Sequence, residues 1–183
     1  MRKIPTLFVR DPDNMRRVIN QTHPDCQWVT DGEGRPTRKY DGTCVMLDND
    51  GWWWARREIK PGRSTPVGFI EVNYDDTTGK TVGWELIDQS PFIKAWQEAI
   101  QNSETGQPIP GTYELCGPKI NNNPEKFSQH TLVRHGQFVL DAPRDYVSLR
   151  TWLLSHDYEG IVWHRDPGNL NTEMAKIKRR DFS

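Results

Sequence analysis

Two short runs rich in β-branched and aromatic residues, 43–47 and 52–57, flank the tetrapeptide Asp48-Asn49-Asp50-Gly51. Asx residues and glycine tolerate the backbone of a tight reversal, so this arrangement predicts a β-hairpin. The same punctuation recurs along the chain. It predicts strands at 27–30, 68–72, 81–87, 112–116, 130–133, 138–140, 158–164 and 173–180, with a turn over 73–80 and a surface loop over 101–111. Two helices interrupt the series. Ser90 and Pro91 supply an N-cap and a first helical position, Ile93, Trp96, Ala99 and Ile100 fall on one face, and the helix should end near Asn102. Ser148 is the expected cap of a second helix reaching Leu154. Many short strands with two helices predict an α+β fold built on antiparallel sheets, and 183 residues fit a single domain spanning 1–183. In the hairpin, alternation puts Trp52 and Trp54 on one face and Trp53 on the other. Core packing is the expected role of these rings, with base stacking the alternative.

Charge narrows the function classes. A formal net charge of −1 excludes coating nucleic acid by bulk positive charge, so any such contact must use local patches, for which Arg16, Arg17, Arg179 and Arg180 are candidates. Cys26, Cys44 and Cys116 form neither an even disulfide framework nor a CxxC pair, and are expected to be free thiols in a reducing cytoplasm. Only a few apolar residues precede Arg10 and Asp11, so no signal-peptide core is expected. No apolar run approaches the ~20 residues that span a bilayer, which predicts no membrane association.

The residues suited to chemistry are lysines and carboxylates. A lysine attacks only as the neutral amine, and its reference pKa of ~10.4 means that burial, neighbouring cations or a metal must favour that form. Lys39 lies in Lys39-Tyr40-Asp41-Gly42, between a predicted strand and the hairpin, with Gly42 permitting a close turn. In Ala175-Lys176-Ile177-Lys178, strand alternation would place Lys176 and Lys178 on one side about 6.5–7 Å apart and turn Ala175 and Ile177 to the core. Two ammoniums so placed make a phosphate cradle; a solvated lysine face is the plainer alternative. Glu159 precedes Gly160 and a β run, where a carboxylate can bind Mg²⁺ or hold an ammonium. Glu114, in Glu114-Leu115-Cys116-Gly117, has a similar setting.

Taken in order, these segments resemble the covalent nucleotidyltransferase superfamily of RNA ligases, DNA ligases and mRNA capping enzymes, over a stretch running from Lys39 to Lys178. Lys39-Tyr40-Asp41-Gly42 is similar to its Lys-x-Asp-Gly motif, which implies that Lys39 becomes covalently attached to AMP. Trp54-Ala55-Arg56-Arg57 occupies the place of a nucleotide-contacting arginine, with Arg56 favoured and Arg57 the alternative. Glu114 resembles a ribose-binding carboxylate. Glu159-Gly160-Ile161-Val162 resembles the motif whose acid assists the metal and the lysine, and Lys176 and Lys178 resemble the pair that binds the α-phosphate. The wording around Gly111-Thr112-Tyr113-Glu114 and Trp54-Ala55-Arg56 is most similar to small ATP-dependent 5′-to-3′ RNA ligases. The resemblance therefore implies a ligase-type adenylation domain, ATP and Mg²⁺ or Mn²⁺ as cofactors, and RNA with 5′-phosphate and 3′-hydroxyl ends as partner. Cys44 stands where DNA ligases usually carry arginine. Many relatives continue into an OB domain after the last lysine motif, and none is expected within these 183 residues. The adenine-stacking residue is sought within 127–133.

Three other readings come from these residues. GTP-dependent capping shares the lysine chemistry, and a noncatalytic nucleotide- or RNA-binding module would keep the fold alone. A zinc site using His23, Asp25 and Cys26 with Cys44 or Cys116 lacks two closely spaced ligand pairs.

Overall fold

A computed structural model describes residues 3–103, 106–167 and 172–183. In chain order the elements are β1 (Phe8–Arg10), β2 (Val18–Thr22), a 3-10 turn (Pro24–Cys26), α1 (Gln27–Thr30), β3 (Arg35–Lys39), β4 (Thr43–Leu47), β5 (Trp53–Ile59), β6 (Ile70–Asp75) and β7 (Lys80–Leu86). A 3-10 turn (Ile87–Gln89), α2 (Ile93–Gln101), β8 (Gly111–Cys116), β9 (Thr131–Arg134), α3 (Tyr146–Ser155), β10 (Gly160–His164), β11 (Met174–Lys178) and a 3-10 turn (Arg179–Phe182) follow. The fold is α+β, and every pairing between these strands is antiparallel.

The chain divides into two compact units. A central unit comprises Asp41–His135 with Lys3; a terminal unit comprises Ile4–Tyr40 and Gly136–Ser183. The central unit holds a sheet of order β6-β7-β5-β4-β8-β9. The rows Ala55–Val45–Tyr113 and Trp54–Met46–Thr112 face opposite sides, as strand alternation requires. The first side packs on α2 through Val45, Ala55, Tyr113, Leu115 and Ala99. Trp53 joins that core, its ring 5.6 Å from both Trp96 and Tyr113. Trp52 departs from the core role, being 59% exposed outside the strand, and Trp54 donates from its indole N–H to Asp48 in the hairpin turn at 2.7 Å.

The terminal unit pairs β1 with β2 and builds a second sheet of order β11-β10-β3. Its core gathers Leu7, Phe8, Trp28, Leu149, Leu153, Ile161, Trp163, Ala175 and Ile177.

Several expected elements differ. The predicted strand at 27–30 is helical: Pro24 fixes the first φ, and the His23 ring accepts from the Asp25 N–H at 3.2 Å, so a turn already nucleated runs into α1. A four-residue segment carries no period that could have distinguished the two. The strand at 138–140 reduces to a bridge beside β3, with the Arg38 N–H donating to the Phe138 carbonyl at 2.8 Å. Asp145, not Ser148, caps α3, accepting from the Ser148 N–H at 2.9 Å. Ser90 and Pro91 form a turn that precedes α2, so the helix starts at Ile93. Of the expected 101–111 loop, residues 104 and 105 lie outside the described residues.

Arg144 fastens the segment that leads into β3. Its guanidinium donates to the carbonyls of Val29 at 3.0 Å and Gly34 at 2.7 Å, and to that of Glu33, while burial lowers its proton affinity. Hydrogen bonds to a charged donor are individually strong, and truncation strands three acceptors. Arg144→Ala is therefore expected to lower the unfolding free energy by about 2–4 kcal/mol, read from the midpoint and slope of urea denaturation.

Candidate functional site

The lysine-bearing face of the terminal unit follows from the register of three strands. Gly160 lies opposite Lys39 on one side and Lys178 on the other; Val162 lies opposite Thr37 and Lys176. The alternate rows, Arg38–Ile161–Ile177 and Pro36–Trp163–Ala175, turn the other way, and Ile161, Trp163, Ala175 and Ile177 are fully buried. One face thus carries Lys39, Lys176 and Lys178. Because Gly160 has no side chain, the two lysines flanking it converge on the residue before it. Lys39 Nζ donates to Glu159 Oε2, and Lys178 Nζ donates to Glu159 Oε1 at 2.6 Å. The side chains of Lys39, Glu159 and Lys178 are 21%, 13% and 19% exposed, which separates them from a freely solvated lysine face while leaving them accessible. Two ammoniums share one carboxylate, so the group carries a net positive charge suited to phosphate.

Three further residues, none of them singled out in the sequence, hold this arrangement. Asp181, 2% exposed, accepts from the Lys178 backbone N–H at 2.8 Å and from Arg10 at 2.8 Å, fixing the turn just after the last lysine. The Arg38 guanidinium lies 4.4 Å from the rings of both Tyr40 and Tyr158, joining the end of β3 to the start of β10. The Arg10–Asp181 and Arg38–Tyr158 contacts link residues more than a hundred positions apart, so no local pattern announces them.

Arg56, Arg57 and Glu114 belong to the central unit. Glu114 Oε1 accepts from the Gly42 N–H at 3.1 Å, and Oε2 meets His135 Nε2 at 2.8 Å; His135 Nδ1 meets Thr112 Oγ1 at 2.9 Å. His135 thereby orients this carboxylate. A side chain at position 42 would put Cβ 2.3 Å from the Leu115 carbonyl oxygen, which explains glycine there. Asn121 donates to Asp41 at 2.9 Å and to the Gly42 carbonyl at 2.8 Å, and Glu125 accepts from the Asp41 N–H at 2.9 Å. The register also separates the two arginines. One residue beyond the Val45–Ala55 pair, Arg56 falls in the row of Cys44 and Glu114, on the face opposite the α2 core. Arg57 lies on the α2 side, 3.6 Å from buried Glu85, whose carboxyl is pushed up by burial against the pull of Arg57 and Ser90. Arg56, and not Arg57, therefore shares a face with Glu114, and it borders a cavity of about 270 Å³ with Lys80 and Glu58. The 127–133 segment contributes β9, beside β8.

Among the described residues no group of three or more His, Cys, Asp and Glu side chains could hold a metal ion. Cys26, Cys44 and Cys116 are free and buried. Burial, assisted by Asp25, pushes the Cys26 thiol up to about 11. Among the described residues no helix is long and apolar enough to cross a membrane. The sequence matches no family model and no curated protein.

Proposed function

We propose that this chain is an ATP-dependent RNA ligase with a ligase-type adenylation fold, acting in the cytoplasm through a lysyl-AMP intermediate on Lys39. The observation that carries the reading is the pairing of Lys39 and Lys178 with one carboxylate, Glu159, across a glycine. In this mechanism the neutral Lys39 amine attacks the α-phosphorus of ATP. A P–N bond forms, the bond to the bridging oxygen breaks, pyrophosphate leaves, and the amine gives up a proton. Lys178, with Lys176 on the same face, stabilises charge on the phosphoryl oxygens as it develops. A 5′-phosphate oxygen of RNA then displaces Lys39 to give the adenylated end, and a 3′-hydroxyl displaces AMP to close the phosphodiester. The roles of Arg56 and Glu114 toward the nucleotide rest on the resemblance alone.

Mg²⁺ or Mn²⁺ usually comes with nucleotide phosphates and needs few protein carboxylates, so Glu159 is the residue that would meet it. When bound, the metal neutralises phosphate charge. Both oxygens of Glu159 face ammoniums, so a cation there competes with Lys39 and Lys178 for the same carboxylate.

Incubation with ATP labelled at the α-phosphate tests the reading. The expected product is an acid-labile protein adduct that discharges onto 5′-phosphorylated RNA; a protein that binds ATP without forming it is a noncatalytic module, and labelling from GTP instead assigns capping chemistry. Glu159→Gln keeps the shape but removes the charged acceptor that holds the Lys39 and Lys178 amines in place. Because displacement of a reacting group by about 1 Å costs on the order of 10²-fold, the single-turnover rate of adduct formation should fall about 10²-fold.

A further inference from the structure

We propose that the edge of the terminal unit formed by Trp152, His156, Tyr158, Arg38 and Tyr40 is a stacking platform for single-stranded RNA, a reading that rests on the RNA-ligase assignment. These planar groups form one series. The indole of Trp152 and the imidazole of His156 stack with centroids 3.9 Å apart at 20°, His156 lies 5.3 Å from Tyr158, and the Arg38 guanidinium is 4.4 Å from both Tyr158 and Tyr40. His156 Nδ1 lies 2.7 Å from the Trp152 carbonyl, a distance that places the proton on Nδ1 and lays the ring flat on the indole at the end of α3.

Apolar burial accounts for only part of this series. Trp152 touches the core from its margin. His156, Arg38 and the two tyrosines are half-buried polar groups, which fill a core poorly and instead suit flat π-systems that arrive from solvent. A cation stands beside them: exposed Arg179 donates from its guanidinium to the Leu154 carbonyl at 3.3 Å, at the end of the same helix, and its backbone N–H meets the Glu159 carbonyl at 2.9 Å. Aromatic faces interleaved with arginines are what sequence-tolerant single-strand binding uses, with bases on the rings and phosphates on the cations. In the chain, Arg38 and Tyr40 flank Lys39 and Tyr158 precedes Glu159, with the Arg38 row on the side of the sheet opposite the lysines.

The test is an anisotropy titration of a labelled, 5′-phosphorylated single-stranded RNA, run beside adduct formation from α-labelled ATP. Trp152→Ala and His156→Ala are each expected to weaken RNA binding about 5- to 100-fold, the loss of one stacked base, with the rate of adduct formation unchanged. Trp152→Phe, which keeps a ring on His156, should restore most of the affinity. Arg179→Ala should reduce the slope of log affinity against log salt by about 0.7, one single-strand phosphate contact. Wild-type affinity in both alanine variants, equal losses in Trp152→Phe and Trp152→Ala, or no saturable RNA binding by the wild type would each overturn the platform. An ATP adduct that forms normally alongside any of these results leaves the ligase chemistry standing; RNA binding that depends on Trp152 without any adduct leaves the platform standing and removes the ligase reading.

Discussion

Lys39→Ala is expected to abolish covalent attachment of AMP, lowering the adduct rate by at least about 10³-fold, because no other amine takes over the position of Lys39. Lys178 is the nearest substitute by register, one strand beyond Gly160. Its Nζ is held by the second oxygen of the same carboxylate, and its backbone is fixed by Asp181, so it faces the site from the opposite side. Lys39→Arg keeps the positive charge and part of the ion pair but has no amine that deprotonates near neutral pH, and should be equally inactive. The fold should survive either change. Glu159 retains Lys178 as a partner, so Lys39→Ala should cost on the order of 1 kcal/mol. Labelling with α-phosphate-labelled ATP, followed by peptide mapping, separates the outcomes: label at wild-type level in Lys39→Ala, or label mapped to another lysine in the wild type, would remove Lys39 from its role.

The two lysine segments illustrate what a sequence conveys and what it withholds. The β11 pattern was legible because alternation is a property of four consecutive residues: Ala175 and Ile177 are fully buried, and Lys176 and Lys178 share the other face. The strand carrying Lys39 was not, since Arg35-Pro36-Thr37-Arg38-Lys39 contains no alternating apolar residue and includes a proline. It forms a strand because β10 supplies the ladder, and Pro36 is tolerated where its carbonyl accepts from the Leu140 N–H at 3.0 Å. The same distinction runs through the site. Lys39, Glu114, Glu159 and Lys178 stand in segments short enough to read, whereas Arg38, His135, Arg144 and Asp181 act through partners that only the folded chain brings within reach. Short polar strands such as β2, Val18-Ile19-Asn20-Gln21-Thr22, escape for a related reason: pairing with β1, rather than their own pattern, selects their conformation.

Gly160 links packing to chemistry, and Gly160→Ala is expected to damage both. A Cβ at this position would lie 2.1 Å from the Ile177 carbonyl oxygen and 2.9 Å from the Lys178 Cα. These are backbone atoms of the neighbouring strand, so no side chain can swing aside; β10 must separate from β11 at the register that sets Lys178 opposite Gly160. Overpacking of this kind costs about 3 kcal/mol. The same separation shifts Lys178 relative to Glu159 by a substantial fraction of an ångström, and the adduct rate should fall by about 10²-fold even in the population that remains folded. Gly32→Ala is the informative comparison. Nothing lies within 4 Å of its added Cβ, and its φ of +97° confines the penalty to backbone strain of about 1–2 kcal/mol. Urea denaturation and single-turnover labelling, both run below the unfolding midpoint, should therefore show Gly32→Ala losing stability alone and Gly160→Ala losing stability and rate together. Normal adduct formation in folded Gly160→Ala would mean that the Lys39–Glu159–Lys178 spacing does not govern the reaction.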